Sequence, residues 1–196
     1  MSDTLITRPS LLLRVRNSRD EQAWSEFVEI YTPLVYRYCR RRGLQDQDAA
    51  DVAQEVLLGV TARIPHFRYD RGRGSFRSWL LTISHRRLCD FFSAKGRNPQ
   101  ASGKTAVHEM LADQPDAQEE ARWDQEFRQR LFDWAAQQVR NEFEDSTWQA
   151  FWQTAVEAAP AKTVAARLGI SVGAVYIAKS RVISRLRIRI QEVADE

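Results

Sequence analysis

Three histidines, His66, His85 and His108, and two cysteines, Cys39 and Cys89, are the side chains of this 196-residue sequence best suited to acid–base, nucleophilic or metal chemistry. None stands in a pattern that such chemistry uses. There is no His-Glu-x-x-His pair, no phosphate-binding glycine loop and no nucleophile elbow, so enzymatic activity is not expected. The cysteines lie far apart, with no second Cys or His at ligand spacing, which argues against a zinc site or a disulfide framework and for two reduced thiols. Nothing calls for a cofactor, a metal or a small-molecule substrate.

The patterns that do carry chemistry are those of nucleic-acid binding. Residues 161–180 read AKTVAARLGISVGAVYIAKS. Ala165 is small where two helices would cross, Gly169 comes four residues later where a turn needs positive φ, and Val175 comes six further on where a second helix returns to the core. Val164, Leu168 and Ile170 fill the remaining apolar places of a helix-turn-helix. If the second helix starts after a cap at Ser171, a rotation of about 100° per residue turns Val175, Val182, Leu186 and Ile190 inward. Tyr176, Ile177, Ser180, Arg181 and Ser184 then face outward. Because the N-terminal end of a recognition helix enters the major groove, Val172, Gly173, Ala174, Tyr176 and Ile177 are the expected base neighbours, with Ser171 and Ser180 in the same DNA-facing set. Lys179, Arg181, Arg185 and Arg187 would serve phosphates. The competing reading of Tyr176 and Ile177 is partial burial against the first domain or a partner.

A second segment, PHFRYDRGRGSFRSWLLTISHRRLCDFF from Pro65 to Phe92, is a glycine-bearing loop followed by a helix. Phe67, Tyr69 and Trp79 are interleaved with Arg68, Arg71, Arg73, Arg77, Arg86 and Arg87. Unpaired bases stack on aromatic faces while cations track phosphates, so this composition suits single-stranded DNA better than duplex. The helical wheel groups Phe76, Leu80, Ile83, Leu88 and Phe91 inward and sets Trp79, Thr82 and Arg86 on the opposite side. Aromatics packed at the rim of the fold are the alternative.

The elements that must position these residues are helical. Strand alternation and Asn-Gly or Asp-Gly hairpin signals are absent, while apolar residues recur at helical spacing throughout, so the fold class is all-α. Trp24, Phe27, Ile30, Tyr31, Leu34, Val35 and Tyr38 form one stripe, with Asp20 placed to cap it, Gly43 to end it and Pro33 to bend or restart it. A second helix is expected from Asp46 to Ile64 and a third from Ser75 or Phe76 to about Ser93. Residues 94–116 mix Gly, Pro, Ser and charges without an apolar period, as a flexible linker does. This divides the chain into two small domains, 10–93 and 117–196, the second opening on a helix marked by Trp123, Phe127, Leu131, Trp134 and Val139.

Charge supports two separate contacts with a polyanion. The net charge is only +3, but Arg63 to Arg97 carries nine Lys or Arg against two Asp, and Lys162 to Arg189 carries seven against none. Between them Glu109 to Glu126 holds seven Asp or Glu against one Arg. For either basic block alone, a solvated helix face is the competing account. No stretch is apolar for the roughly 18 residues of a membrane span, and Met1 to Ser10 has no signal-peptide run, so a cytoplasmic location is expected.

Taken together, these segments resemble the extracytoplasmic-function (ECF, group 4) sigma factors of the sigma-70 family. DQDAADVAQEVLLGVTARI, from Asp46 to Ile64, resembles their region that docks on the clamp helices of the polymerase β′ subunit. FRSWLLTISHRRLCDFF resembles their promoter-melting helix, and the C-terminal motif resembles region four. The overall pattern is also similar to the subset found in planctomycete-type bacteria.

The resemblance implies a factor that binds core RNA polymerase and reads promoter DNA. It assigns polymerase docking to Asp48, Asp51, Gln54 and Glu55, and Leu58 shares their face, away from Val52, Val56 and Val60. It assigns capture and melting of the −10 element to the loop from His66 to Ser75 and the helix after it, hence Phe67, Arg68, Tyr69, Arg73, Ser75, Arg77, Trp79, Thr82, Arg86 and Arg87. Reading of −35 duplex, with contact to the β flap, falls to region four, and an anti-sigma protein is a further partner that the family allows. One departure stands out: where family members often carry Lys-Ser-Arg early in the recognition helix, this chain has Tyr176, Ile177 and Ala178. A free-standing helix-turn-helix repressor is the alternative function, but it would leave the aromatic loop without a purpose.

Overall fold

The structure, a computed structural model, describes residues 11–66, 75–96 and 115–193. Among these, eight α-helices and no strand occur. The described chain divides into two compact units between Arg130 and Leu131.

The first unit opens with α1 (Leu11–Arg14) and α2 (Glu21–Arg41). Asp20 caps α2, its carboxylate accepting from Ala23 N at 2.9 Å while Arg14 donates to it at 3.2 Å. That backbone N–H, and after it the guanidinium, holds the Asp20 carboxyl below its usual range. The helix runs on through Pro33 rather than restarting there, because a side chain from elsewhere takes over the carbonyl that the proline leaves unbonded. Beyond it, Gly43 at φ 93° makes the reversal into α3 (Asp46–Arg63). Helix α4 (Phe76–Gly96) lies against α3 and α2. The core between them is aromatic: Phe27, Tyr31, Tyr38 and Phe76 are all buried, with Val52, Val56 and Val60 from α3 and Leu80, Leu81 and Leu88 from α4.

Helix α5 (Ala117–Val139) contributes to both units. Its first half completes the first core, since Phe127 stacks on Tyr31 with centroids 5.6 Å apart and Trp123 meets Tyr38 edge-on at 5.7 Å. Arg41 and Arg42 both pair with Glu119, at 2.9 and 3.0 Å, and Arg41 also pairs with Glu126. The division falls inside α5; of the 94–116 stretch read as linker, 97–114 lies outside the described residues. The physical reason is that two buried aromatics and three ion-paired carboxylates, Asp124 among them, tie Ala117–Arg130 to α2 and α4.

The second unit continues from Leu131 through α6 (Asp145–Phe151), a π-helical turn at Trp152–Val156, α7 (Ala161–Leu168) and α8 (Val172–Gln191). Ala150, Val164, Ala165, Val175 and Ala178 form one buried cluster, with Leu168, Ile170 and Val172 packed against it. Arg189 lies over the Trp134 ring at 4.5 Å. No single helix among the described residues is long and apolar enough to cross a membrane.

Candidate nucleic-acid interface

Helices α7 and α8 meet at 102°, within the range of roughly 90–120° that a helix-turn-helix requires. The turn is made by Gly169, left-handed at φ 66°, whose N–H caps α7 on Ala165 O. Any other L-residue would be strained there. Ser171 then starts α8, its hydroxyl oxygen accepting from Ala174 N at 3.1 Å. With the helix so fixed, Val175, Ala178, Val182 and Leu186 are buried, and Ile190 lies at the half-buried edge rather than fully inward. Tyr176 and Ile177 stand out at 61% and 63% exposure, with Gly173, Ser180 and Arg181 beside them on the open face. Val172, Ala174 and Lys179 are intermediate, as residues at the border of a face must be.

Arg185 is not open in the same way. Its guanidinium engages both carboxylate oxygens of Glu142, Nη2 donating to Oε1 at 2.8 Å. This bond, with the positive charge behind it, holds the Glu142 carboxyl below its ordinary value. Arg181 makes no ion pair among the described residues, which leaves it the more available cation on this face.

In the first unit, Phe67, Arg68, Tyr69, Arg71 and Arg73 lie outside the described residues. Ser75 caps the entry to α4, its hydroxyl oxygen accepting from Ser78 N at 3.2 Å. Trp79 is half-buried, its ring tilted against Phe76 with centroids 5.4 Å apart. Thr82 donates to Ser78 O at 2.9 Å and adds little free polarity. Arg77 is held from α5: it donates to Asp124 at 3.0 Å and lies over the Phe127 ring at 5.0 Å. Arg87 faces Asp90 at 3.8 Å, while Arg86 is exposed.

The inward face of α4 is rotated from the wheel drawn on sequence. Ser84 and His85 are buried and Ile83 is half-exposed. His85 is accommodated because its Nδ1 lies 2.9 Å from Tyr38 Oη, and its Nε2 3.5 Å from Cys89 Sγ. Burial pushes the Cys39 thiol up to about 12 and raises Cys89 as well, so neither is a ready nucleophile at neutral pH. Neither cysteine forms a disulfide among the described residues.

On α3, Asp51, Gln54, Glu55 and Leu58 are exposed and Asp48 is half-buried. Gln54 and Leu58 also line an apolar groove of about 590 Å³ whose opposite wall comes from α2, through Trp24, Val28, Thr32 and Tyr36. Leu58 at 62% and Val28 at 44% exposure form its lips. The α2 wall was missed by sequence reasoning, which counted Trp24 within the inward stripe. Two half-turned faces on helices joined by a tight reversal leave no local signal that they meet.

The sigma-70 region 2 family matches residues 27–98, which spans most of α2 and all of α3 and α4. The ECF RNA polymerase sigma factor SigD of Mycobacterium tuberculosis is 30% identical over 181 residues, covering 90% of this chain and 81% of its own. This chain belongs to the ECF RNA polymerase sigma factors. ShbA, an ECF sigma factor of Streptomyces griseus, is likewise 30% identical over 178 residues, covering 86% of this chain and 87% of its own.

Proposed function

We propose that this ECF sigma factor binds core RNA polymerase through the α2–α3 groove and the exposed Asp51 and Glu55 beside it, in the manner of the family's contact with the β′ clamp helices. Region four, built on α7 and α8, then reads −35 duplex and touches the β flap. The face of α4 that carries Trp79 and Arg86, with the preceding 67–74 segment, captures and melts the −10 element. Flipping a base costs a few kcal/mol, which an aromatic stacking surface can offset in part. The chain would act in the cytoplasm and perform no chemistry of its own; the polymerase supplies the reaction.

The observation that carries this reading is the α7–α8 pair, because a left-handed Gly169, a Ser171 cap and a 102° crossing place an exposed helix tip within a wholly basic stretch. The test mixes the purified chain with core RNA polymerase, measures co-elution, and maps transcripts from fragmented genomic DNA. Co-elution with transcripts starting at a small set of related sites is expected. Binding to duplex DNA without core polymerase, together with no gain in start-site selectivity, would favour a free-standing repressor.

A further inference from the structure

The first two turns of α8, Val172–Ala178, contain no Arg, Lys, Asn, Gln, Asp or Glu. Those are the side chains whose polar groups tell guanine, adenine and cytosine edges apart in the major groove. Ser171, the one polar residue at the start, already uses its oxygen on Ala174 N. What the helix tip offers instead is Tyr176 and Ile177, 61% and 63% exposed, beside an open Gly173. Side by side, these two large side chains make an exposed apolar patch of the kind that marks a contact site. Every formal charge from Lys162 to Arg189 is positive, and a surface of that sign attracts a polyanion. Duplex DNA meets both demands, because the C5 methyl of thymine is the apolar group it displays in the major groove.

We infer that this factor selects its upstream element by contact of Ile177 and Tyr176 with thymine methyl groups, so that methyls rather than guanine edges set the preference beneath the helix tip. The inference rests on the promoter-reading role proposed above. Gly173 serves it by letting the helix backbone come close: an added Cβ would meet nothing nearer than Ser171 Oγ at 3.8 Å, so the position is open toward solvent. Arg181, a turn further along, would hold the phosphates on which this contact depends.

The probe is a 30-base-pair duplex recovered from a random-sequence pool by holoenzyme assembled from the full chain and core polymerase. It is resynthesised with deoxyuridine replacing each thymine in turn, which removes one methyl and leaves every hydrogen-bonding edge intact. Affinity should fall about fourfold at each contacted thymine, the value of burying one such carbon. Ile177→Ala should bind the thymine and deoxyuridine duplexes equally at its position, with unchanged Tm because the side chain is exposed; Tyr176→Ala is the second variant and should erase a different position. Equal binding of all deoxyuridine duplexes by the parent protein, while it still discriminates the selected sequence from random DNA, overturns methyl reading but leaves promoter reading standing. Recovery of no preferred duplex at all would overturn promoter reading, and this inference with it.

Discussion

Arg130 donates from Nε and Nη2 to the carbonyl oxygen of Glu29, at 3.1 and 2.7 Å. Within α2 that carbonyl would ordinarily accept from the N–H of residue 33, and Pro33 has none. A guanidinium from α5 has replaced a backbone donor and lets α2 continue unbroken. Arg130→Ala should lower the unfolding free energy by about 1 kcal/mol. In a Pro33→Ala background, where the backbone N–H returns, the same truncation should cost much less. Urea denaturation of the four proteins gives the coupling directly, and additive effects would disprove the substitution of one donor for another.

The left-handed turn between α7 and α8 makes a second expectation quantitative. A Cβ at Gly169 meets nothing within 4 Å, so Gly169→Ala pays only for its φ of 66°. That cost is about 1–2 kcal/mol. Gly169→Asn should cost less, since Asn tolerates this region better. Calorimetry should show the order glycine, asparagine, alanine in falling Tm, and duplex capture should weaken in the same order.

Counterion release separates Arg181 from Arg185. Arg181→Ala should lower the slope of log affinity against log salt by about 1, as the loss of one phosphate contact does. Because Arg185 is engaged by Glu142, Arg185→Ala should change that slope less and the Tm of the second unit more. Stability owed to the Glu142–Arg185 pair is present above the ordinary carboxylate pKa and is lost as pH falls through the depressed one, so the Tm difference between parent and Glu142→Gln should shrink on acidification.

The groove on α2 and α3 yields a binding test. Leu58→Asp, at an exposed lip, should leave stability within about 0.5 kcal/mol of the parent, as surface substitutions do, yet weaken core polymerase capture. Charge reversal at Asp51 with Glu55 should act in the same direction. Retained affinity in both proteins, measured by fluorescence competition for core, would move docking off this surface.

Trp79 is half-buried against Phe76, and base stacking and packing predict different losses on its removal. If the ring stacks on an unpaired base, Trp79→Ala together with Tyr69→Ala should cost roughly 1–3 kcal/mol per base in the open complex and spare duplex binding. Permanganate reactivity of unpaired thymines reads the loss, and a pre-melted promoter should restore part of it. A parallel fall in Tm and core binding would assign the ring to packing instead.

Helix positions were legible wherever the signal was local. Asp20 caps α2, Gly169 turns between α7 and α8, and the Val175–Val182–Leu186 stripe faces inward as its spacing predicts. Illegible were the contacts that join residues far apart in the chain. His85 is buried because Tyr38 reaches it across 47 residues, Asp124 holds Arg77 across 47, and Glu142 holds Arg185 across 43. A wheel sees a polar residue and turns it outward; only the fold supplies the partner that permits burial or claims the charge. The pairing of Glu119, Asp124 and Glu126 with Arg41, Arg42 and Arg77 is likewise invisible in the sequence, since only the fold sets those arginines opposite them.

Helix α5 also decides where such a protein can be recombined. A chimera joined in the 97–114 stretch would bring in, with its new C-terminal half, a foreign helix start obliged to fill the places of Trp123 and Phe127 against Tyr38 and Tyr31. A junction after Arg130 keeps the native aromatics and the bond to Glu29 and exchanges only the residues from Leu131 onward. Exchange of the C-terminal unit therefore has a seam in the middle of a helix, and splices made there should fold where splices made in the 97–114 stretch fail.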